Sequence, residues 1–204
     1  MGTTSKAEPA RATLSRLATA LAARAPAASE APPAATDARL AAVALILRES
    51  AVGEAELLFI KRAEFAGDPW SGQIAFPGGR HEPGDLTLRD TALRETLEET
   101  GIDVHAAGLV IGVLDDLRPR NPALPAIVIR PYVAVVGQVA ITPSREVAAS
   151  FWVPLSRLRS PDAVIQSSVT VRGHRMDVAS YVHDGHTIWG ITERMLSQLL
   201  ALVP

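Results

Sequence analysis

The sequence predicts a mixed α/β or α+β fold, with strands surrounding two well-marked helices. Three observations predict it. Short apolar runs such as LAAVALILR, AELLFIKR and AIVIRPYVAVV are each bounded by turn-type residues and have strand length. LTLRDTALRETLEET and IWGITERMLSQLLALV instead carry helical periodicity. The 204 residues, 48% of them hydrophobic, are enough for one core, and no internal repeat divides it.

Residues 1–38 are rich in Ala, Pro, Ser and Thr and read as a loosely ordered tail ahead of a domain at 39–204. Within the tail, ARATLSRLATALAARA places Leu14, Leu17 and Leu21 at helical spacing, the pattern of an Ala-rich amphipathic helix. Deleting residues 1–36 is expected at this level to leave activity intact. LAAVALILR and AELLFIKR, separated by the turn-like ESAVGE, form a hairpin. GDPWSG is a loop, QIAF is extended, and FPGGRHEPGD is a second loop. The first helix follows, with Asp85 as N-cap and Gly101 as its stop. GLVIGVLDDL is a strand with an acidic end, and RPRNPALP is a Pro-broken loop. AIVIRPYVAVV is a buried strand containing Pro131, ITPSREVAAS a loop, and FWVPL a strand. VTVRG and MDVASYV make a hairpin before the C-terminal helix.

The formal net charge of −2 gives no footprint for nucleic acid or an anionic membrane, and no apolar run approaches the roughly 18 residues of a membrane span. With no cysteine, disulfides and thiolate zinc sites are excluded. Arg16 and Arg24 interrupt the N-terminal apolar stretch against a secretory signal, and Glu8, Glu30 and Asp37 argue against a transit peptide; the expected location is cytoplasmic.

RETLEETG, residues 94–101, concentrates Glu95, Glu98 and Glu99 on about one helical turn. Like charges at this spacing repel unless solvent, a basic partner or a metal ion offsets them. At about 100° per residue, Leu86, Leu93 and Leu97 share one face and Glu95 lies opposite, flanked by Glu98 and Glu99; Leu88 falls on the acidic side. Arg94, four residues before Glu98, is placed to pair with it. A Glu-rich face is ordinarily just solvated. Here, however, PGGRHEPGD precedes it, and adjacent glycines permit close backbone approach. A glycine carbonyl together with carboxylates makes an all-oxygen site suited to Mg²⁺ or Mn²⁺, ions that also bind substrate phosphates.

GGRHEPGDLTLRDTALRETLEETGI resembles the signature of the Nudix hydrolases: Gly79 opens it, and Arg94, Glu95, Glu98, Glu99, Gly101 and Ile102 match its end. Asp85 stands at the acid position in place of Glu, eight residues rather than seven separate it from Arg94, and Thr96 replaces an aliphatic residue. The resemblance implies an α/β/α sandwich with a mixed β-sheet and hydrolysis of a small-molecule diphosphate by a water activated beside the metal. Glu95, Glu98 and Glu99 would ligate Mg²⁺ or Mn²⁺ with the Gly78 carbonyl, and Arg94 would hold a glutamate in place. The base would be a motif glutamate or Glu146 from a later loop, for which a plain solvent-exposed acid is the alternative reading. Asp115 and Asp116 close a strand and suit a turn.

LFIKRAEFAGDPWSGQIAFPGG is similar to a segment of the coenzyme A diphosphatase branch, through Arg62, Gly72 and Phe76-Pro77-Gly78-Gly79. Its inner Arg is missing, with Ala66 and Asp68 near that place, and the spacing is about two residues longer. Arg62, Trp70 and Arg118 are the candidate substrate contacts, Trp70 by stacking on a base and Arg118, with Arg120, by compensating for the missing Arg. Nucleoside triphosphates, dinucleotides and a non-catalytic binding domain are the rival readings. The oligomeric state is open, a homodimer included. His183 and His186 flank an Asp-Gly pair that reads as a hairpin turn.

Overall fold

The computed structural model describes residues 9–24, 38–67, 70–119, 126–171 and 173–203. The elements in chain order are α1 (Ala10–Ala22), β1 (Arg39–Glu49), β2 (Ala55–Arg62), β3 (Ile74–Ala75), β4 (Gly78–Arg80), α2 (Leu88–Thr100), α3 (Val104–Ala107), β5 (Gly108–Val113), β6 (Ile127–Val136), β7 (Val147–Pro154), α4 (Leu155–Leu158), β8 (Val164–Val171), β9 (His174–His183), β10 (His186–Trp189) and α5 (Gly190–Leu200).

Alternation of side chains along β1 and β6 gives the central sheet two apolar faces, and each carries its own core. On one face Leu45, Leu47, Leu57, Phe59 and Val133 pack with α1 and α5; on the other Ala42, Ala44, Ile46, Leu58 and Ala134 pack with α2 and α3. The result is the expected α/β/α sandwich. The seven-stranded sheet has the order β3-β2-β1-β6-β5, with β4 added to β1 and β7 to β2. β1 and β6 run parallel from Arg39 beside Ile127 to Arg48 beside Val136, while the other pairings are antiparallel, so the sheet is mixed. β6 continues through Pro131, which lies opposite Val43. The predicted β1–β2 and β8–β9 hairpins form. Asp184 and Gly185 both take positive φ, 47° and 78°, in the two-residue turn joining β9 to β10. Among the described residues no helix is long and apolar enough to cross a membrane.

Four sequence expectations are corrected. Residues 10–22 are not a loose tail: Ala10, Leu14, Leu17 and Leu21 of α1 are buried in the first core. The helix is fastened by the Ala10 N–H to the Gly53 carbonyl (3.0 Å), by Arg11 to Glu49 (3.0 Å) and by Arg24 to Asp115 (2.6 Å). The leucine stripe has a partner, which composition alone does not show. Second, FPGGRHEPGD is not loop throughout, because Gly78–Arg80 pairs with β1 as β4.

Third, the N-cap of α2 is Thr87, not Asp85. Thr87 accepts from the Asp90 N–H (3.1 Å) and Asp90 accepts from the Thr87 N–H (2.9 Å), a reciprocal capping box. Fourth, α2 is rolled relative to its leucine stripe. Of the stripe, Leu93 is buried but Leu86 and Leu97 are exposed, and the buried side of the helix carries Leu88, Thr91, Ala92, Leu93, Thr96 and Glu99. Thr96 and Thr100 donate their hydroxyls to the carbonyls of Ala92 and Thr96 (2.7 and 2.6 Å), so these threonines are buried without an unmet polar group. The buried stripe therefore runs into the acids instead of away from them.

Candidate active site

The roll of α2 sets its acidic turn against the two glycines of β4. Gly79 is the point of closest approach: a methyl group there would overlap the Glu95 carboxylate. Gly78 has φ 153°, and a side chain on it would collide with the backbone of Ala42 and Val43. The Gly78 N–H donates to Glu99 Oε2 (2.8 Å). The Glu99 side chain is only 4% exposed, and Arg62 at the end of β2 lies 3.8 Å from its Oε1.

Arg94 organises the neighbouring acids. Its Nε and Nη2 donate to Asp85 Oδ1 and Oδ2 (2.9 and 3.1 Å), a bidentate pair, and Nη2 also reaches the Arg80 carbonyl (3.1 Å). Nη1 then points to Glu95 Oε1 (3.1 Å) and Glu98 Oε2 (3.3 Å). Asp85 thus anchors the arginine that orients both glutamates, despite the extra residue in the spacing. Thr91 donates to the same Asp85 carboxylate (2.8 Å), and His81 shares a hydrogen bond with Thr91 (3.0 Å). The Arg94 hydrogen bonds hold Asp85 far below the usual carboxylate range and raise Arg94 well above its own. This role of Asp85 was hidden in the sequence by its reading as a cap.

Burial dominates the other two acids. It raises Glu95, with Arg94 opposing, and pushes Glu99 up to about 7 against the Gly78 N–H and Arg62; the nearby charges of Glu95 and Glu146 add to the rise. Glu98 has a half-exposed side chain, 57% accessible. Glu146 is exposed just before β7, and its carbonyl accepts the Ala63 N–H (2.8 Å) next to Arg62.

The structure therefore brings Arg94, Glu95, Glu98, Glu99, Gly78 and Arg62 together, with Glu146 close enough to act on Glu99. Trp70 is half-buried in the turn between β2 and β3. Arg118 is exposed and tied to α5 through its carbonyl, which accepts from Arg194 Nη1 (2.8 Å). Asp68 and Arg120 lie outside the described residues. Asp115 and Asp116 have other partners, Arg24 and the buried Arg130; the Asp116 pair is bidentate at 2.8 and 2.9 Å. His186 stacks on Phe151 at 4.4 Å.

Among the described residues no three acidic or histidine side chains already surround a common point. The donor chemistry nonetheless fits a hard divalent cation. Glu95, Glu98 and Glu99 offer only oxygen, and burial disfavours the ionised form of Glu99 more than the Gly78 N–H and Arg62 favour it, so an added positive charge would stabilise it.

The raised Glu99 has a consequence for stability. Its pKa is higher in the fold than in the unfolded chain, so the folded state holds the extra proton between about pH 4.5 and 7. Its contribution is full below that window and lost as pH rises through it. Without divalent ions, the protein is expected to be about 2–3 kcal/mol less stable at pH 8 than at pH 5 from this group. Urea unfolding in a chelator at the two pH values checks this, and Glu99→Gln should flatten the difference.

Comparison with known proteins agrees with the fold. The NUDIX domain family model matches residues 37–172. The chain is 36% identical over 131 residues to Nudix hydrolase NudL of Photorhabdus laumondii, covering 63% of this chain and 67% of that protein. It is 33% identical over 148 residues to the mitochondrial coenzyme A diphosphatase NUDT8 of Homo sapiens, covering 69% of this chain and 59% of that one. A MutT/nudix family protein from Enterococcus faecalis, 18% identical, superposes with a TM-score of 0.55 over 82% of this chain and 62% of its own, which shows a common fold. With a matching domain model over most of its length and the signature residues gathered on one helix, the chain belongs to the Nudix hydrolase family.

Proposed function

We propose that this protein is a cytoplasmic, divalent-cation-dependent diphosphatase acting on a nucleotide-like metabolite, with coenzyme A or a derivative as the leading substrate. The observation that carries the proposal is the burial of Glu99 beside Glu95 and the β4 glycines, which leaves a cluster of carboxylates wanting positive charge. Glu95, Glu98, Glu99 and the Gly78 carbonyl would hold Mg²⁺ or Mn²⁺. Bound there, the ion would neutralise charge on the diphosphate oxygens and lower the pKa of a coordinated water.

Arg94, anchored on Asp85, holds Glu95 beside Gly79 and pairs with Glu98. Glu99 or Glu146 takes the proton from the attacking water. Arg62 offers a guanidinium at the rim for a phosphate oxygen, with Trp70 and Arg118 on the flanking loops. The similarity to the human coenzyme A diphosphatase and the Phe76–Gly79 segment support the coenzyme A reading.

Assaying the chain with Mg²⁺ and with Mn²⁺ on coenzyme A, dinucleotides and nucleoside triphosphates tests the proposal. The expected result is hydrolysis only with a divalent ion, and kcat/KM for coenzyme A at least about 10-fold above the others. A higher kcat/KM for a triphosphate or dinucleotide would reject the substrate. Absence of ion-dependent hydrolysis of every compound would leave a binding domain.

A further inference from the structure

The small sheet formed by β8, β9 and β10 ends in β8 as an edge strand, and the strand itself carries none of the usual edge protection. Edge strands are ordinarily blunted by charge, proline, a bulge or shortness. β8 is eight residues long, VIQSSVTV, without a charge or a proline, and its pairing with β9 runs without a register shift from Val164 opposite Tyr181 to Val171 opposite His174. Among the described residues no other strand pairs with its outer side.

The ribbon is also two-faced. One face carries Ser168, Asp177 and Arg175 in a hydrogen-bonded set, with Arg175 Nη2 donating to Ser168 Oγ at 2.9 Å. The other carries Ile165, Val169, Met176 and Val178 around Ser167, with Ile165 45% and Met176 47% exposed.

We infer that β8 is a self-association edge, pairing antiparallel with β8 of a second copy about a two-fold axis through Ser167. The two-fold stands perpendicular to the sheet, so residues that face each other must share a face. Centred on Ser167, the register puts Ile165 opposite Val169 of the second copy, twice, and Ser167 opposite itself. Gln166 meets Ser168 of the second copy, and Val164 meets Thr170. Every facing pair is neutral, and the apolar face becomes continuous across four strands. A register centred on Ser168 instead sets Ser167 against Val169. The charged Asp177 and Arg175 of β9 fall in rows that reach Ala179 and Tyr181 of the other copy, so no like charges meet. An eight-residue ladder is about 26 Å long, at the small end of stable contacts. The expected dimer is therefore an exchanging one, with a Kd on the order of 10 µM.

The test is sedimentation of the full chain over 5–300 µM (roughly the range bracketing that Kd), together with single-cysteine variants in a chain that has no cysteine of its own. Directly opposed strand residues have Cα atoms about 4.5–5.5 Å apart, within disulfide range. Ser167→Cys should cross-link rapidly on oxidation, and Thr19→Cys on α1 should not. Ile165→Lys, at an exposed position that is not among the proposed site residues, should raise Kd at least about 10-fold with hydrolysis unchanged, since it puts a charge into a neutral ladder. A monomer throughout the range with no Ser167→Cys cross-link would overturn the inference. So would a dimer that ignores Ile165→Lys or a Thr19→Cys variant that cross-links as fast. If Ser167→Cys fails to fold, Ile165→Lys still decides.

Discussion

Glu98→Gln and Glu99→Gln are each expected to lower kcat by at least about 100-fold, because each removes a carboxylate proposed to hold the cation that stabilises the reacting phosphate. The structure separates this loss from misfolding. Glu98 is half exposed and bonds only to Arg94 among its described partners, so the fold tolerates Gln there. At Glu99 the neutral amide avoids the cost of a buried charge, and at pH 8 without divalent ions Glu99→Gln should be at least as stable as the wild type. Kinetics at saturating substrate, paired with unfolding curves, provide the check. Wild-type turnover in both variants would remove the site assignment.

Removing residues 1–24 is expected to leave little folded protein, contrary to the expectation that composition gives. Ala10, Leu14, Leu17 and Leu21 fill the α1/α5 side of the core, and Leu21 packs where a side chain on Gly112 would stand. Deleting the helix uncovers that surface, and the loss of several buried leucines approaches the whole stability of a domain. Leu17→Ala isolates the effect. Fully buried, it should cost about 2–4 kcal/mol and lower Tm by roughly 5–15 °C, while Ser15→Ala on the exposed face should change little. Thermal melts of the two variants measure it, and a Leu17→Ala melt matching the wild type would mean that α1 is not docked.

How far the sequence could be read follows from what each residue says locally. The strands and α2 were legible because alternation, periodicity and the Gly101 stop are local signals. The Nudix signature identified the acids, since spacing along one helix survives whatever the helix packs on. The roll of α2 was not legible. A rule that sends leucines inward and glutamates outward misassigns Leu97 and Glu99, because the site itself requires a buried carboxylate. β4 was missed because Gly-Gly-Arg has no strand propensity and is a strand only by virtue of β1. The docking of α1 and the parallel β1–β6 pairing are long-range facts that no window of sequence contains. Asp85 shows a subtler failure: a good N-cap residue in the right place was already committed to Arg94, and Thr87, two residues on, took the cap.

The most direct test is to titrate Mn²⁺ into the protein at pH 8 and follow free ion by electron paramagnetic resonance. The acids on α2 are expected to bind Mn²⁺ in the wild type, with affinity reduced at least about 10-fold in Glu99→Gln and in Glu98→Gln. Equal binding by all three proteins, or hydrolysis by a wild type that binds no ion, would contradict the account.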